Sequence, residues 1–213
     1  MNQNLTWWDK NISKPKSYIR SYGEGVGTSS RNWLLDIIQD EESLLDVGCG
    51  PGCTYENLEV HHRKIRYRGL DYSLSFIKAC EELFPEGDFR VGNANKLNEP
   101  NSSWDTVLLR HLIEHCPGYE APIREALRVA RKRVIIIMWR PLNDGPNKIQ
   151  KLGDEGYCSD YNRKAFLDFL VSFDWPVESF EFPGNRPNWA WIIKKEPEGA
   201  YQHVDGEADT TSA

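Results

Sequence analysis

The nine residues Leu44-Leu45-Asp46-Val47-Gly48-Cys49-Gly50-Pro51-Gly52 decide how this chain folds. An apolar run interrupted by one acid ends in three glycines at alternate positions, and a helical pattern opens at Cys53. Glycine reaches positive φ without a Cβ penalty and lets a ligand lie against bare backbone. A helix that starts straight after such a loop offers free N–H groups to a carboxylate or phosphate. An ordinary strand-to-helix turn has no need of three alternate glycines. Strand, glycine loop and helix in that order begin a βαβ unit.

Outward from this loop, short β-rich runs alternate with helical patterns. Upstream, Ser29 and Ser30 are candidate N-caps for a helix whose Trp33, Leu34, Ile37 and Ile38 form one apolar stripe. Downstream, a helix near Cys53 to Arg63 leads to a strand from Ile65 to Tyr72 that closes at Asp71. Ser73 then caps a helix with Phe76, Cys80, Leu83 and Phe84 on one face, ended by Pro85. Strands follow at Phe89–Asn93 and Asp105–Arg110, and a helix at Pro122 carries Ile123, Ala126, Leu127 and Ala130. Val134–Trp139 is a continuous apolar run, expected of a strand covered on both faces. Another helix follows Ser159 and Asp160, with Phe166, Phe169, Leu170 and Phe173 at helical spacing. The last two strands, Val177–Phe182 and Trp189–Lys194, are joined too closely for a crossover and must be antiparallel. The expectation is an α/β fold: a seven-stranded, mostly parallel sheet with an antiparallel last strand and helices on both faces.

The chain has 213 residues with 8 Phe, 8 Trp and 9 Tyr, enough large side chains for one real core and against wholesale disorder. The formal charge is −6, but the tail beyond Lys195 holds five acids and no Lys or Arg. Without it, 26 bases face 27 acids, so the body has no whole-domain electrostatic footprint for nucleic acid. The expected organisation is an N-terminal lid or substrate segment at 1–28, a catalytic body at 29–195 and a disordered acidic tail at 196–213. Five cysteines at irregular spacing argue for a reducing compartment, and a cytoplasmic protein is expected. No apolar run approaches the roughly 20 residues of a membrane helix, and the N-terminus lacks the pattern of a secretion signal.

A nicotinamide-dinucleotide fingerprint has the spacing G-x-G-x-x-G. Gly48 and Gly50 fit it, but its third glycine position holds Cys53, and the extra glycine falls one residue early at Gly52. With Asp46 two residues before the first glycine, the segment resembles motif I of the class I S-adenosylmethionine (SAM) methyltransferases. The resemblance extends from Arg31 to Lys195. It implies a Rossmann-like fold, SAM as cofactor with S-adenosylhomocysteine as product, and a glycine loop (Asp46, Gly48, Cys49, Gly50, Gly52) around the methionine end. Asp71 ends the second strand 23 residues after Gly48, where an acid can accept both ribose hydroxyls. NAD enzymes place an acid similarly, so Asp71 alone does not separate the two classes. Tyr72 either lies against the adenine or packs under the sheet edge. Where the family usually has Gly-Asp-Ala, this chain has Gly92-Asn93-Ala94. Asn93 can still accept from the adenine amine but carries no charge.

The fourth strand runs into His111-Leu112-Ile113-Glu114-His115, which matches the zinc pattern H-x-x-E-H. That site needs a helix and a further ligand; His111 follows directly from a strand, so no metal is expected. The resemblance implies instead that Arg110 and His111 line the pocket near the transferring methyl. His111 is the candidate general base, with an unperturbed pKa of about 6.5, while Glu114 and His115 read as structural. Acceptor specificity is expected in the N-terminal segment, at Arg140–Lys151 and around Asn185–Trp189, with Tyr18, Tyr22, Arg140, Arg186 and Trp189 as candidate acceptor residues; Trp139, Arg140, Tyr157, Arg186 and Trp189 suggest an aromatic, basic pocket for a polar or anionic small molecule. Methylation of an O or N atom of such an acceptor is the expected reaction. No Asn-Pro-Pro-Tyr element follows the fourth strand, which argues against nucleic-acid bases as acceptors. The alternatives are a non-catalytic SAM-binding protein, which Asn93 keeps open, an RNA or protein methyltransferase, and a NAD-dependent oxidoreductase. Oligomeric state is not legible.

Overall fold

Strand β1 (Ser43–Val47) lies between two parallel neighbours, β2 (Arg66–Asp71) and β4 (Trp104–Arg110). With β3 (Phe89–Val91), β5 (Ala130–Met138), β8 (Val177–Phe182) and β9 (Asn188–Lys194), they form a seven-stranded sheet of order β3-β2-β1-β4-β5-β9-β8. The five strands from β3 to β5 are parallel, whereas β9 runs antiparallel to both β5 and β8. The computed structural model describes Asp9 and residues 28–152, 156–182 and 187–195. Tyr18, Tyr22, Arg186, nearly all of the segment at 1–28 and the tail at 196–213 lie outside the described residues.

Side-chain alternation along the strands builds two cores, one on each face. Leu45, Val47, Val107, Leu109, Val134 and Ile136 point to one face, where α4 (Glu120–Val129) and α5 (Arg163–Val171) cover them with Ile123, Leu127, Phe166 and Leu170. Leu44, Leu108, Ile135 and Ile137 point to the other. There α1 (Thr28–Ile37), α2 (Cys53–Val60) and α3 (Leu74–Leu83) contribute Leu34, Leu58 and Ile77. The run from Val134 to Met138 is buried throughout because both faces are covered.

Some element ends differ from expectation. Helix α1 starts at Thr28, so Ser29 and Ser30 lie inside its first turn. Helix α5 is capped by Asn162, whose side chain accepts from the Ala165 N–H, not by Ser159 or Asp160. Those two residues belong to a hairpin outside the main sheet, β6 (Lys148–Leu152) paired antiparallel with β7 (Gly156–Asp160). Ser73 does cap α3, accepting from the Phe76 N–H.

Candidate active site

The sheet order changes direction between β1 and β4, and a cleft of about 740 Å³ opens at their carboxyl ends. Open α/β sheets bind ligands at this position, and the size falls within the roughly 300–1,000 Å³ usual for small-molecule sites. The chain leaves β1 through three glycines with positive φ: Gly48 (80°), Gly50 (55°) and Gly52 (87°). Their surroundings differ. A Cβ on Gly48 would meet Leu112 at 2.9 Å, and one on Gly52 would meet Phe84 at 2.9 Å, so both are small because the protein packs against them. Among the described residues, a Cβ on Gly50 meets nothing within 4 Å beyond its chain neighbours, although Gly50 lines the cleft. Its bare side faces ligand space.

Asp71 stands beside this surface. One carboxylate oxygen accepts from the Gly50 N–H (2.9 Å) and the other from the Ser73 N–H (2.8 Å), which orients the group at the cleft wall. Burial, aided by the charges of Asp46 and Asp9, lifts its pKa to about 6 despite these donors. Further donors from a ligand diol would relieve that cost. Asp9 itself accepts from the Ser73 hydroxyl (2.7 Å) and the Ser75 N–H (2.9 Å) at the start of α3. Tyr72, Gly92, Asn93, Ala94 and Asn95 continue the same wall. Asn93 turns its carboxamide oxygen to the Asn95 N–H at 2.9 Å.

At the other end of the glycine loop, Asp46 and Arg110 share the cleft. Asp46 is 1% exposed and accepts from the Tyr67 hydroxyl at 2.9 Å, and burial raises its pKa to about 6. Burial and the nearby Arg31 pull the Arg110 guanidinium down to about 10. Its Nε and one Nη are buried without a hydrogen-bond partner among the described residues. Buried donors of this kind are costly unless something accepts from them. An acid and an arginine converging on one point suit an α-amino and α-carboxylate pair. The side chain of Cys49 turns inward under Gly69, so only its main chain serves the loop.

His111 begins the turn after β4 at φ 53°, a left-handed conformation that non-glycine residues rarely adopt. Its N–H donates to the Ile137 carbonyl (2.7 Å), and its ring Nε2 lies 2.5 Å from the Asn188 carboxamide oxygen. Burial, with Arg110 nearby, pushes the imidazole well below its ordinary pKa, so it is neutral. His115 donates from Nδ1 to the Tyr157 carbonyl at 3.1 Å. Glu114, fully buried and raised to about 7 by that burial, accepts from the Trp139 N–H and pins the end of β5; it does not line the cleft. Ser159 and Tyr161 hydroxyls donate to the Cys116 carbonyl (2.7 and 2.6 Å), which fastens the hairpin to the turn after β4 and brings Tyr157 into the wall. Among the described residues, no group of three metal-ligating side chains converges.

The structure thus gathers Asp46, Gly48, Cys49, Gly50, Asp71, Tyr72, Asn93, Ala94, Arg110 and His111 around one cleft, with Gly52 behind it as the N-cap of α2. Two acceptor candidates stand elsewhere. Arg140 donates to Asp160 at 2.5 Å and stacks over Trp139, and Trp189 packs against the core; neither lines the cleft. The described part of the acceptor end is therefore aromatic but not basic. Thr54, Phe76, Leu112, Cys116 and Pro117 line the cleft without being singled out from sequence, whereas Asn188, which also lines it, falls in the stretch at 185–189 expected to serve the acceptor.

Residues 45–138 match the family described as "Methyltransferase domain". Ajmaline N-methyltransferase of Rauvolfia serpentina is 34% identical over 102 residues, which cover 45% of this chain and 35% of that enzyme. Phosphatidylethanolamine N-methyltransferase of Cereibacter sphaeroides is 28% identical over 137 residues, covering 61% of this chain and 66% of that enzyme. The chain therefore spans about a third to two thirds of these curated relatives. Burkholderia thailandensis 1,6-didemethyltoxoflavin-N1-methyltransferase, solved with 1,6-didemethyltoxoflavin and S-adenosylhomocysteine bound, shares the fold. The TM-score is 0.62 at 14% identity, covering 85% of this chain and 86% of that one. The domain match over residues 45–138, these relatives and the shared fold, together with the glycine loop and the sheet order, support a class I S-adenosylmethionine-dependent methyltransferase.

Proposed function

We propose that this chain binds SAM in the cleft at the ends of β1, β2 and β4 and methylates an O or N atom of a small-molecule acceptor. The observation that carries this reading is one cleft that holds the open face of Gly50, the Asp71 carboxylate bound to the Gly50 N–H, and Arg110 nitrogens with no partner among the described residues. These residues fit an adenosyl amino acid. Asp71 takes the ribose diol, the Gly50 main chain lies under the ligand, and Asp46 and Arg110 take the amino and carboxylate groups. Tyr72, Asn93 and Ala94 border the adenine. SAM, when bound, supplies a methyl group already activated by the sulfonium.

The chain's own task is then placement and proton removal. Holding both reactants in line supplies roughly 7–11 kcal/mol of the barrier. His111, neutral and at the cleft wall, accepts the acceptor's proton. The named substrates of ajmaline N-methyltransferase and of the toxoflavin enzyme, both small molecules, support an acceptor of that kind. Five unpaired cysteines support a cytoplasmic location, and among the described residues no helix is long and apolar enough to cross a membrane. The test is incubation with methyl-labelled SAM and a panel of small-molecule acceptors, read by mass spectrometry. Labelled product that depends on Asp71 supports the proposal; tight SAM binding without transfer to any acceptor favours a non-catalytic SAM-binding protein.

A further inference from the structure

We propose that Asn188 is a positioning residue: its carboxamide fixes His111 as the Nε2–H tautomer, so that the Nδ1 lone pair faces an acceptor that donates from O–H or N–H. The inference rests on the reading of His111 as the base and names what that base can serve. A carboxamide oxygen only accepts, so the 2.5 Å contact to Nε2 requires the proton on Nε2. A neutral imidazole then has one lone pair left, on Nδ1. Among the described residues, nothing hydrogen-bonds to Nδ1, and the ring lines the cleft.

The topology explains how residues 77 apart in sequence meet. Because β9 runs antiparallel to β5, pairing Met138 with Trp189, its first residue arrives at the carboxyl ends of the parallel strands. A parallel β9 would deliver Asn188 to the opposite edge. Asn188 is 1% exposed and held in register by pairing with Phe182, while His111 is fixed by its own N–H on Ile137. Two anchored groups define the ring's orientation.

The acceptor class follows from that orientation. Leu112, His115, Pro117, Trp139 and Tyr157 share this end of the cleft, and none is charged while the imidazoles are neutral. A carboxylate or thiolate acceptor would set lone pair against lone pair at Nδ1. A hydroxyl or N–H acceptor donates to it. As the acceptor's oxygen or nitrogen bonds to the methyl carbon, sulfur keeps the electron pair of the broken S–C bond. Nδ1 takes the acceptor's proton, and the imidazolium returns it to solvent.

The experiment is ¹⁵N NMR of the whole chain labelled at both histidine ring nitrogens, with His111 assigned by loss of its signals in His111→Gln. The wild type is expected to show the Nε2–H tautomer, Asn188→Leu to lose that preference, and Asn188→Asp, which keeps an acceptor, to retain it. In turnover, Asn188→Leu is expected to lower kcat about a hundredfold, with SAM affinity held within about twofold and Asn188→Asp close to wild type. A wild-type Nδ1–H tautomer, or an unchanged spectrum in folded Asn188→Leu, overturns the proposal. So does labelled transfer confined to benzoates and aryl thiols in a panel that also holds phenols, secondary amines and ring N–H heterocycles. If the spectrum is as expected but His111→Gln turns over at the wild-type rate, the reading of His111 as base fails while the tautomer assignment stands.

Discussion

Replacing Gly50 by alanine separates a ligand surface from a packing surface. At φ 55° an alanine sits in the left-handed region, at a cost of about 1 kcal/mol. Among the described residues beyond its chain neighbours, its methyl group meets nothing within 4 Å, so they add no packing cost. The expected loss in Tm is therefore only a few degrees, on the scale of about 2–4 °C per kcal/mol for a domain of this size. S-adenosylhomocysteine, however, must lie where that methyl projects, and its affinity should fall by about a hundredfold, or about 2.7 kcal/mol. The neighbouring glycines give the contrast. Gly48→Ala drives a methyl against Leu112 and Gly52→Ala against Phe84, each at 2.9 Å and each at positive φ. Both should destabilise the fold by about 2–3 kcal/mol or more. Calorimetric titration with S-adenosylhomocysteine, alongside thermal unfolding of the three variants, reads both quantities. Gly50→Ala binding within twofold of wild type, or unfolding as easily as Gly52→Ala, would refute the reasoning.

The raised carboxyl groups set a pH dependence. Asp46 and Asp71 accept most strongly from ligand donors when ionised, and both titrate at about 6. Binding of S-adenosylhomocysteine should be flat above pH 7 and weaken below 6, by about tenfold per pH unit for each carboxylate. Asp46→Asn should stabilise the unliganded protein by up to about 3 kcal/mol near neutrality, since a folded-state pKa above the unfolded value makes the carboxylate destabilising there. That gain should largely vanish by about pH 4, where the folded state is protonated and the unfolded state about half so, while ligand affinity falls above pH 6 and approaches the wild type's at pH 4; an equal gain in stability at pH 4 and 7.5 would contradict it. Arg110→Met should weaken S-adenosylhomocysteine by about tenfold or more yet leave adenosine binding unchanged, because adenosine lacks the amino-acid end. Asp71→Ala should weaken both ligands alike.

Most of the fold was readable because the signals are local. The glycine loop, the fully apolar β5 and the helical stripes of α3, α4 and α5 each announce themselves over a few residues. The hairpin of β6 and β7 was not, because β6 is exposed along almost its whole length and alternation has no buried face to mark. It matters nonetheless, since it supplies Tyr157 and closes over the turn at Cys116. The glycine loop and Asp71 fall where the motif spacing puts them, but spacing does not distinguish the exposed backbone of Gly50 from the packed backbone of Gly48 and Gly52. Charge was the least legible property. Arg140 reads as an anion site until Asp160, twenty residues on, neutralises it. Asn188 gains its meaning only when an antiparallel strand brings it to His111.

The most direct measurement is the crystal structure of this chain grown with S-adenosylhomocysteine. The account predicts the ligand in the cleft at the ends of β1, β2 and β4, its ribose hydroxyls on the Asp71 carboxylate and its amino-acid carboxylate on the Arg110 nitrogens that have no partner among the described residues. A ligand bound elsewhere, or a cleft left empty at saturating S-adenosylhomocysteine, would contradict it.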